Sequence, residues 1–167
     1  MTDAELLAGL DALRQGDRTA FERIYQEMST PLFTVILRIL RDRNLAEDVL
    51  QELFVKLFRS PPSVRKPRAY LFQSARNLAI DTLRRRPEES ELNERTPAPD
   101  HTEAQAERLD LRAALDALPL AERQIVSLHI NGGLKFREIA AMMGLPLGTA
   151  LWKYQKALNA LRAALSP

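Results

Sequence analysis

The stretch from Phe136 to Lys156, FREIAAMMGLPLGTALWKYQK, constrains this chain more than any other. Arg137 to Met143 places Ile139, Met142 and Met143 at helical spacing. Gly144 follows, where a helix end favours a residue that tolerates positive φ. Leu145-Pro146-Leu147-Gly148 makes the connection, and Thr149 suits the N-cap of a second helix. That helix sets Leu151, Tyr154, Leu158, Leu161 and Leu165 on one face, in steps of three and four. Thr149, Lys153, Lys156 and Ala160 take the opposite face, with Trp152 and Asn159 on the flank. Small Ala140 allows a close crossing, and Ile139, Leu145 and Ala150 are apolar where the crossing needs them. The pattern predicts a helix-turn-helix, whose second helix enters a DNA major groove. An ordinary helical hairpin in an all-α domain is the plainer alternative.

A chain of 167 residues is one large domain or two small ones. No apolar run reaches the ~18 residues of a membrane span. The start, MTDAELLAGL, lacks the basic opening and long apolar core of a signal peptide. Cysteine is absent, which excludes disulfides, a thiol nucleophile and a zinc ribbon. These features fit a cytoplasmic protein without membrane insertion. The net charge of +2 divides unevenly. Residues 1–86 carry +4, residues 87–107 carry −6 and residues 108–167 carry +4. Basic segments suit a polyanion such as DNA, though two ordinary solvated surfaces joined by a linker give the same tally.

Everything before residue 60 reads as helix. Thr2 with Glu5 and Thr19 with Glu22 form capping boxes. The first helix is expected over 3–15, with Leu6, Leu10 and Leu13 inward. The second is expected over 19–29, with Phe21, Ile24, Tyr25 and Met28 inward. Pro31 suits the first turn of a third, over 31–41. In residues 45–59, Ala46, Val49, Leu50, Leu53 and Leu57 form a core stripe. Asp48, Gln51, Glu52, Val55 and Phe58 lie on the other side. Carboxylates mixed with apolar groups suit a protein partner, or else a solvated face with Val55 and Phe58 half tucked away.

Three prolines make RSPPSVRKP, residues 59–67, a loop, and it also carries Arg59, Arg65 and Lys66. The helix over 67–86 has a core stripe of Leu71, Ala75, Leu78, Ala79 and Leu83. Gln73, Asn77, Asp81 and Arg84 face outward, with Tyr70 and Arg76 near the edges. Its closing Arg84-Arg85-Arg86 either complements the helix dipole or holds phosphates. Residues 87–107 are acidic and poor in large apolar groups, which predicts a flexible linker. Beyond it, helices are expected near 105–117 and after Pro119, the latter stopped by Asn131-Gly132-Gly133. The helix-turn-helix closes the chain.

Over roughly residues 15–165 the sequence resembles the extracytoplasmic-function (group IV) sigma factors of bacterial RNA polymerase, in the sigma-70 family. Three anchors carry the resemblance. AEDVLQELFVKLF at 46–58 is similar to region 2.2, and PRAYLFQSARNLAIDTLRRR at 67–86 to regions 2.3 and 2.4. ALDALPLAERQIVSLHINGGLKFREIAAMMGLPLGTA at 114–150 is similar to region 4. The resemblance implies an all-α fold of two small helical domains: a region 2 bundle over 1–86 and a region 4 helix-turn-helix over 108–167, joined by the acidic linker 87–107.

It also implies a dissociable polymerase subunit rather than an enzyme. Asp48, Gln51, Glu52, Phe54 and Val55 match the surface that docks on the β′ clamp helices. Arg65, Lys66, Tyr70, Gln73, Arg76, Asn77 and Arg84 become candidates for opening and reading the −10 element. Unstacked bases there need aromatic, amide and arginine neighbours. Lys135, Arg137, Thr149, Trp152, Lys153 and Lys156 become candidates for the −35 element, read as duplex through the major groove. Core polymerase (β′ clamp helices and β flap), promoter DNA and an anti-sigma factor are the implied partners. No cofactor or metal is implied.

Two positions depart from the family pattern. Ala150-Leu151-Trp152-Lys153 stands where Val-Lys-Ser-Arg is common, and Tyr70 where tryptophan is frequent. An autonomous repressor or activator would bind duplex without polymerase, usually as a dimer on a two-fold site. A sigma-like decoy would keep polymerase binding and lose DNA reading.

Overall fold

A computed structural model describes residues 1–86 and 103–166, which contain eight α-helices and no strand. In chain order they are α1 (Asp3–Arg14), α2 (Arg18–Leu40), α3 (Arg43–Arg59), α4 (Pro67–Arg85), α5 (Glu103–Asp116), α6 (Leu120–Ile130), α7 (Phe136–Met143) and α8 (Leu147–Leu165). Most starts follow from capping chemistry. Thr2 Oγ1 accepts the Glu5 N–H at 3.1 Å and so caps α1. Asp17, not Thr19, caps α2, because its carboxylate accepts the Thr19 N–H at 3.0 Å. Asp42 does the same for α3 through the Leu45 N–H at 3.0 Å. Pro67 opens α4, where its missing N–H costs nothing. The expected linker 87–107 lies outside the described residues up to 102, and its last five residues already belong to α5.

One long helix replaces the two expected around Pro31. α2 runs unbroken through the proline. Its buried residues Ile24, Met28, Leu32, Val35 and Ile39 keep steps of four and three across it. Burial of one continuous stripe outweighs the ~3 kcal/mol that an interior proline costs. α2 is the spine of the fold, packed against α1, α3, α4 and α6. Tyr25, expected inward, is 47% exposed.

The halves share one apolar core. Leu6, Leu10, Ile36, Leu53, Leu71 and Phe72 of the first half are continuous with Ile125, Leu128, Leu134 and Ile139 of the second. A smaller cluster of Leu118, Val126, Ala157 and Leu161 holds α8 on α6. The last four carbonyls of α2, which a helix leaves without internal partners, are all accounted for. Arg41 N–H takes Leu37 O at 2.7 Å. Arg123 of α6 donates to Arg38 O at 2.9 Å and Ile39 O at 3.4 Å. Arg86 donates to Leu40 O at 2.8 Å. Two guanidiniums thus sit at the negative end of the helix dipole.

Gly132 lets the second half close on the first. A Cβ there would stand 2.5 Å from Leu128 O and 3.3 Å from the Phe72 ring. Backbone and a buried aromatic cannot both retreat, so Gly132→Ala is expected to lose about 1–3 kcal/mol, as overpacked sites do. Urea unfolding of the two proteins checks this; an unchanged midpoint would contradict the fit described.

Candidate nucleic-acid and partner interfaces

The outer face of α3 presents Asp48, Gln51, Glu52, Val55 and Phe58, all exposed. Phe54 differs from the expectation: it is only 4% exposed. Its ring packs edge-on to Tyr25 at 4.8 Å and Phe21 at 6.1 Å. Phe54 shares its side of α3 with Leu50 and Leu57, four and three residues away, and the α2 aromatics cover it. Phe58 touches Phe21 at 5.2 Å but keeps an open side. The face is therefore an apolar centre of Val55 and Phe58 on an aromatic floor, bordered by two carboxylates and an amide.

On α4 and the loop before it, Arg65, Lys66, Tyr70, Gln73, Asn77 and Arg84 are exposed. Arg76 turns the other way. Its Nε donates to Gln124 Oε1 at 2.6 Å and its Nη1 to Met142 O at 3.4 Å, so the second half holds it. Burial, and secondarily nearby Arg84, lowers its pKa below the ordinary arginine value. Arg86, in the closing arginine run, is committed to Leu40 O and to Asp42 at 3.6 Å.

The helix-turn-helix forms as the pattern at 136–156 requires. Gly144 adopts φ 66° and ψ 34°. Leu145 N–H reaches back to Ala140 O at 2.9 Å, closing the helix end. Ala140 and Ala150 are buried at the crossing. Pro146, not Thr149, precedes the first turn of α8, and Thr149 lies within it. The inner line of α8 is Ala150, Ala157 and Leu161. Leu151, expected inward, is therefore exposed, and Trp152 is 60% exposed at the centre of the outer face. Thr149 and Lys153 are half-buried, and Lys156 is exposed with its amine 3.7 Å from Glu122. His129 is half-buried, stacked on Phe136 at 4.1 Å with Nδ1 2.9 Å from Leu134 O. His101 lies outside the described residues.

Parts of the two candidate DNA sets meet, Lys66 and Gln73 on one side and Lys135 and Arg137 on the other, while the α8 candidates lie outside the contact. Lys66, Ala69 and Gln73 of the first half line a cleft of about 460 Å³ with Lys135, Arg137, Glu138, Ala141 and Met142 of the second.

Comparison with known proteins resolves what this arrangement is. The family model for sigma-70 region 2 matches residues 24–88, and that for sigma-70 region 4 matches residues 108–161. The extracytoplasmic-function sigma factor RpoE of Cereibacter sphaeroides is 31% identical over 160 residues, covering 90% of this chain and 88% of that protein. The chain belongs to the sigma-70 family, in its extracytoplasmic-function group. Another relative, SigK of Mycobacterium ulcerans, is 27% identical over 175 residues, covering 96% of this chain and 94% of that one. The sigma factor's fold matches that of CnrH, solved in complex with the cytosolic domain of CnrY, with a TM-score of 0.71 at 20% identity over 96% of this chain and 97% of that one. It also matches RpoE of Bartonella quintana, solved with the anti-sigma factor NepR, with a TM-score of 0.66 at 23% identity over 87% and 96%. As a sigma factor the chain directs promoter-specific initiation, and its family acts through the polymerase rather than by catalysis of its own. No described helix is long and apolar enough to cross a membrane.

Sequence reasoning missed the residues that hold the sigma factor's halves together. Arg68 donates to Gly132 O at 2.7 Å and to Met1 O at 2.8 Å. Arg38 pairs with Asp116 at 3.0 Å. Arg123 and Gln124 are buried polar residues of α6. The one available signal was ERQ inside the apolar run LAERQIVSLHI, since charged groups are rarely buried without partners.

Proposed function

We propose that this sigma factor docks on core polymerase through the exposed face of α3, with Asp48, Gln51, Glu52, Val55 and Phe58 in contact. Arg65, Lys66, Tyr70, Gln73, Asn77 and Arg84 then face the −10 element, joined by Arg76 once Gln124 releases it. Lys135, Arg137, Thr149, Trp152, Lys153 and Lys156 serve the −35 element. The β flap receives the second half. The sigma factor works where polymerase and chromosome are, in the cytoplasm.

The observation that carries this reading is the shared cleft. Elements at −10 and −35 lie about 25 base pairs apart, roughly 85 Å of duplex at about 34 Å per turn. Lys66 and Gln73, assigned to one element, line a single cleft of about 460 Å³ with Lys135 and Arg137, assigned to the other, and residues this close cannot serve both, so the halves separate on the promoter. The compact form is the stored state, and an anti-sigma factor holds it, as NepR is bound to the Bartonella quintana relative.

Run-off transcription with core polymerase on a genomic fragment library tests the reading. Defined start sites that depend on this protein are expected, with common sequences upstream at both spacings. Core binding without initiation would point to a decoy. Duplex binding without core would point to an autonomous regulator.

A further inference from the structure

The outer face of α8 is unusual for a helix that reads DNA. At about 100° per residue, Trp152 stands nearly opposite the buried line of Ala150, Ala157 and Leu161. Leu151 is exposed on the adjoining flank, with exposed Leu147 one turn before it. Gln155, Lys156 and Asn159 continue the same face. Lys156 Nζ lies 5.2 Å from the centre of the Trp152 ring, steadied from behind by Glu122. No heavy atom stands within 4 Å of where a Cβ on Gly148 would be, which leaves room for a close approach at the head of the helix.

Charge decides what covers this face. α8 carries Lys153, Lys156 and Arg162 and no carboxylate. A polyanion fits it better than a neutral peptide. In the major groove a base edge presents hydrogen-bonding atoms, and thymine alone presents a methyl group. Leucine has no hydrogen-bonding group, and indole has a single donor. Apolar contact with thymine C5-methyl groups is the readout open to both.

We propose that Leu151 and Trp152 are specificity-determining residues of this sigma factor, selecting thymines in the −35 element through their methyl groups. This rests on α8 being the −35 reader. It assigns the departure from Val-Lys-Ser-Arg a function: polar readout at two positions is exchanged for methyl readout, and Lys153 and Lys156 supply phosphate attraction.

Deoxyuridine removes the methyl and nothing else. Holoenzyme assembled from the full chain and core polymerase is titrated onto a duplex fragment carrying a start site defined by run-off transcription. Each thymine of the upstream element is replaced singly. Affinity is expected to fall about fourfold at one or two positions, the worth of one buried methyl. Trp152→Ala and Leu151→Ala, both exposed side chains, are expected to melt like the parent and to lose that sensitivity at their own positions. An element without thymine, no sensitive position, or sensitivity retained in both variants would overturn the proposal. So would variants that bind DNA normally and lose only an anti-sigma partner, which would give the patch to a protein. Defined start sites without a methyl effect would leave the sigma reading standing and this inference failed. Absence of any defined start would remove the sigma reading itself, and this inference with it.

Discussion

Arg123→Met is expected to lower stability by about 3 kcal/mol, because it leaves buried carbonyls without a charged donor. For a chain of this size that is a fall of roughly 6–12 °C in thermal midpoint. Arg123 is 5% exposed. Its guanidinium donates to Arg38 O, Ile39 O and, at 2.7 Å, Leu118 O. Methionine keeps most of the apolar stem, so the loss reports the hydrogen bonds rather than a cavity. Arg123→Lys should recover only part of it: an ammonium is a point donor and cannot span carbonyls of α2 and of the α5–α6 connection as a planar fork does. Two of the three acceptors lie in the first half, so the compact arrangement should loosen as well. X-ray scattering would record a larger radius of gyration for the methionine variant. A midpoint within 2 °C of the parent would mean that water replaces the guanidinium without cost, and the account of the α2 terminus would be wrong.

The same residue marks where the sequence stopped being legible. Local patterning carried the inner faces of α1 and α3, the proline start of α4, the glycine turn after α7 and the family. These depend on residues within about one turn of each other. Arg123 depends on carbonyls 84 and 85 positions earlier. No periodicity holds that information, and the pattern after Pro119 predicts a helix without saying what Arg123 meets. Pro31 misled for a related reason: its local cost was visible, while the stripe that offsets it needs α3, α4 and α6 in place. On α8 the apolar count favoured the bulky leucines as inner residues. The crossings instead select small side chains, Ala150 against α7 and Ala157 against α6, which lets the helices approach and turns Leu151 and Trp152 outward. Phe54 is covered by aromatics of another helix, Phe21 and Tyr25, which the pattern of its own helix does not reveal.

Reversing Asp48 and Glu52 together, as Asp48→Arg with Glu52→Lys, is expected to weaken core polymerase binding by about 100-fold or more. Like charges brought face to face cost several kcal/mol, and 2.7 kcal/mol is already about 100-fold. The fold should not notice. Both carboxylates are exposed, and Glu52 makes only a surface pair with Lys56 at 3.4 Å, a kind worth about 0–1 kcal/mol. The apolar centre of the face gives an independent check. Phe58 rests on Phe21 and exposes its outer side, the position of an anchor inside a polar rim. Phe58→Ala should therefore speed dissociation with little change in the association rate. The charge reversal should slow association, and the difference from the parent should shrink as salt screens the encounter. Surface-immobilised core polymerase, with sigma factor flowed over it at low and high salt, separates these effects in one experiment. A folded double variant that binds core as tightly as the parent would sink the docking assignment. Loss in the Phe58 variant alone would confine the contact to the aromatic end of α3, with Asp48 and Glu52 left as solvent-facing charge.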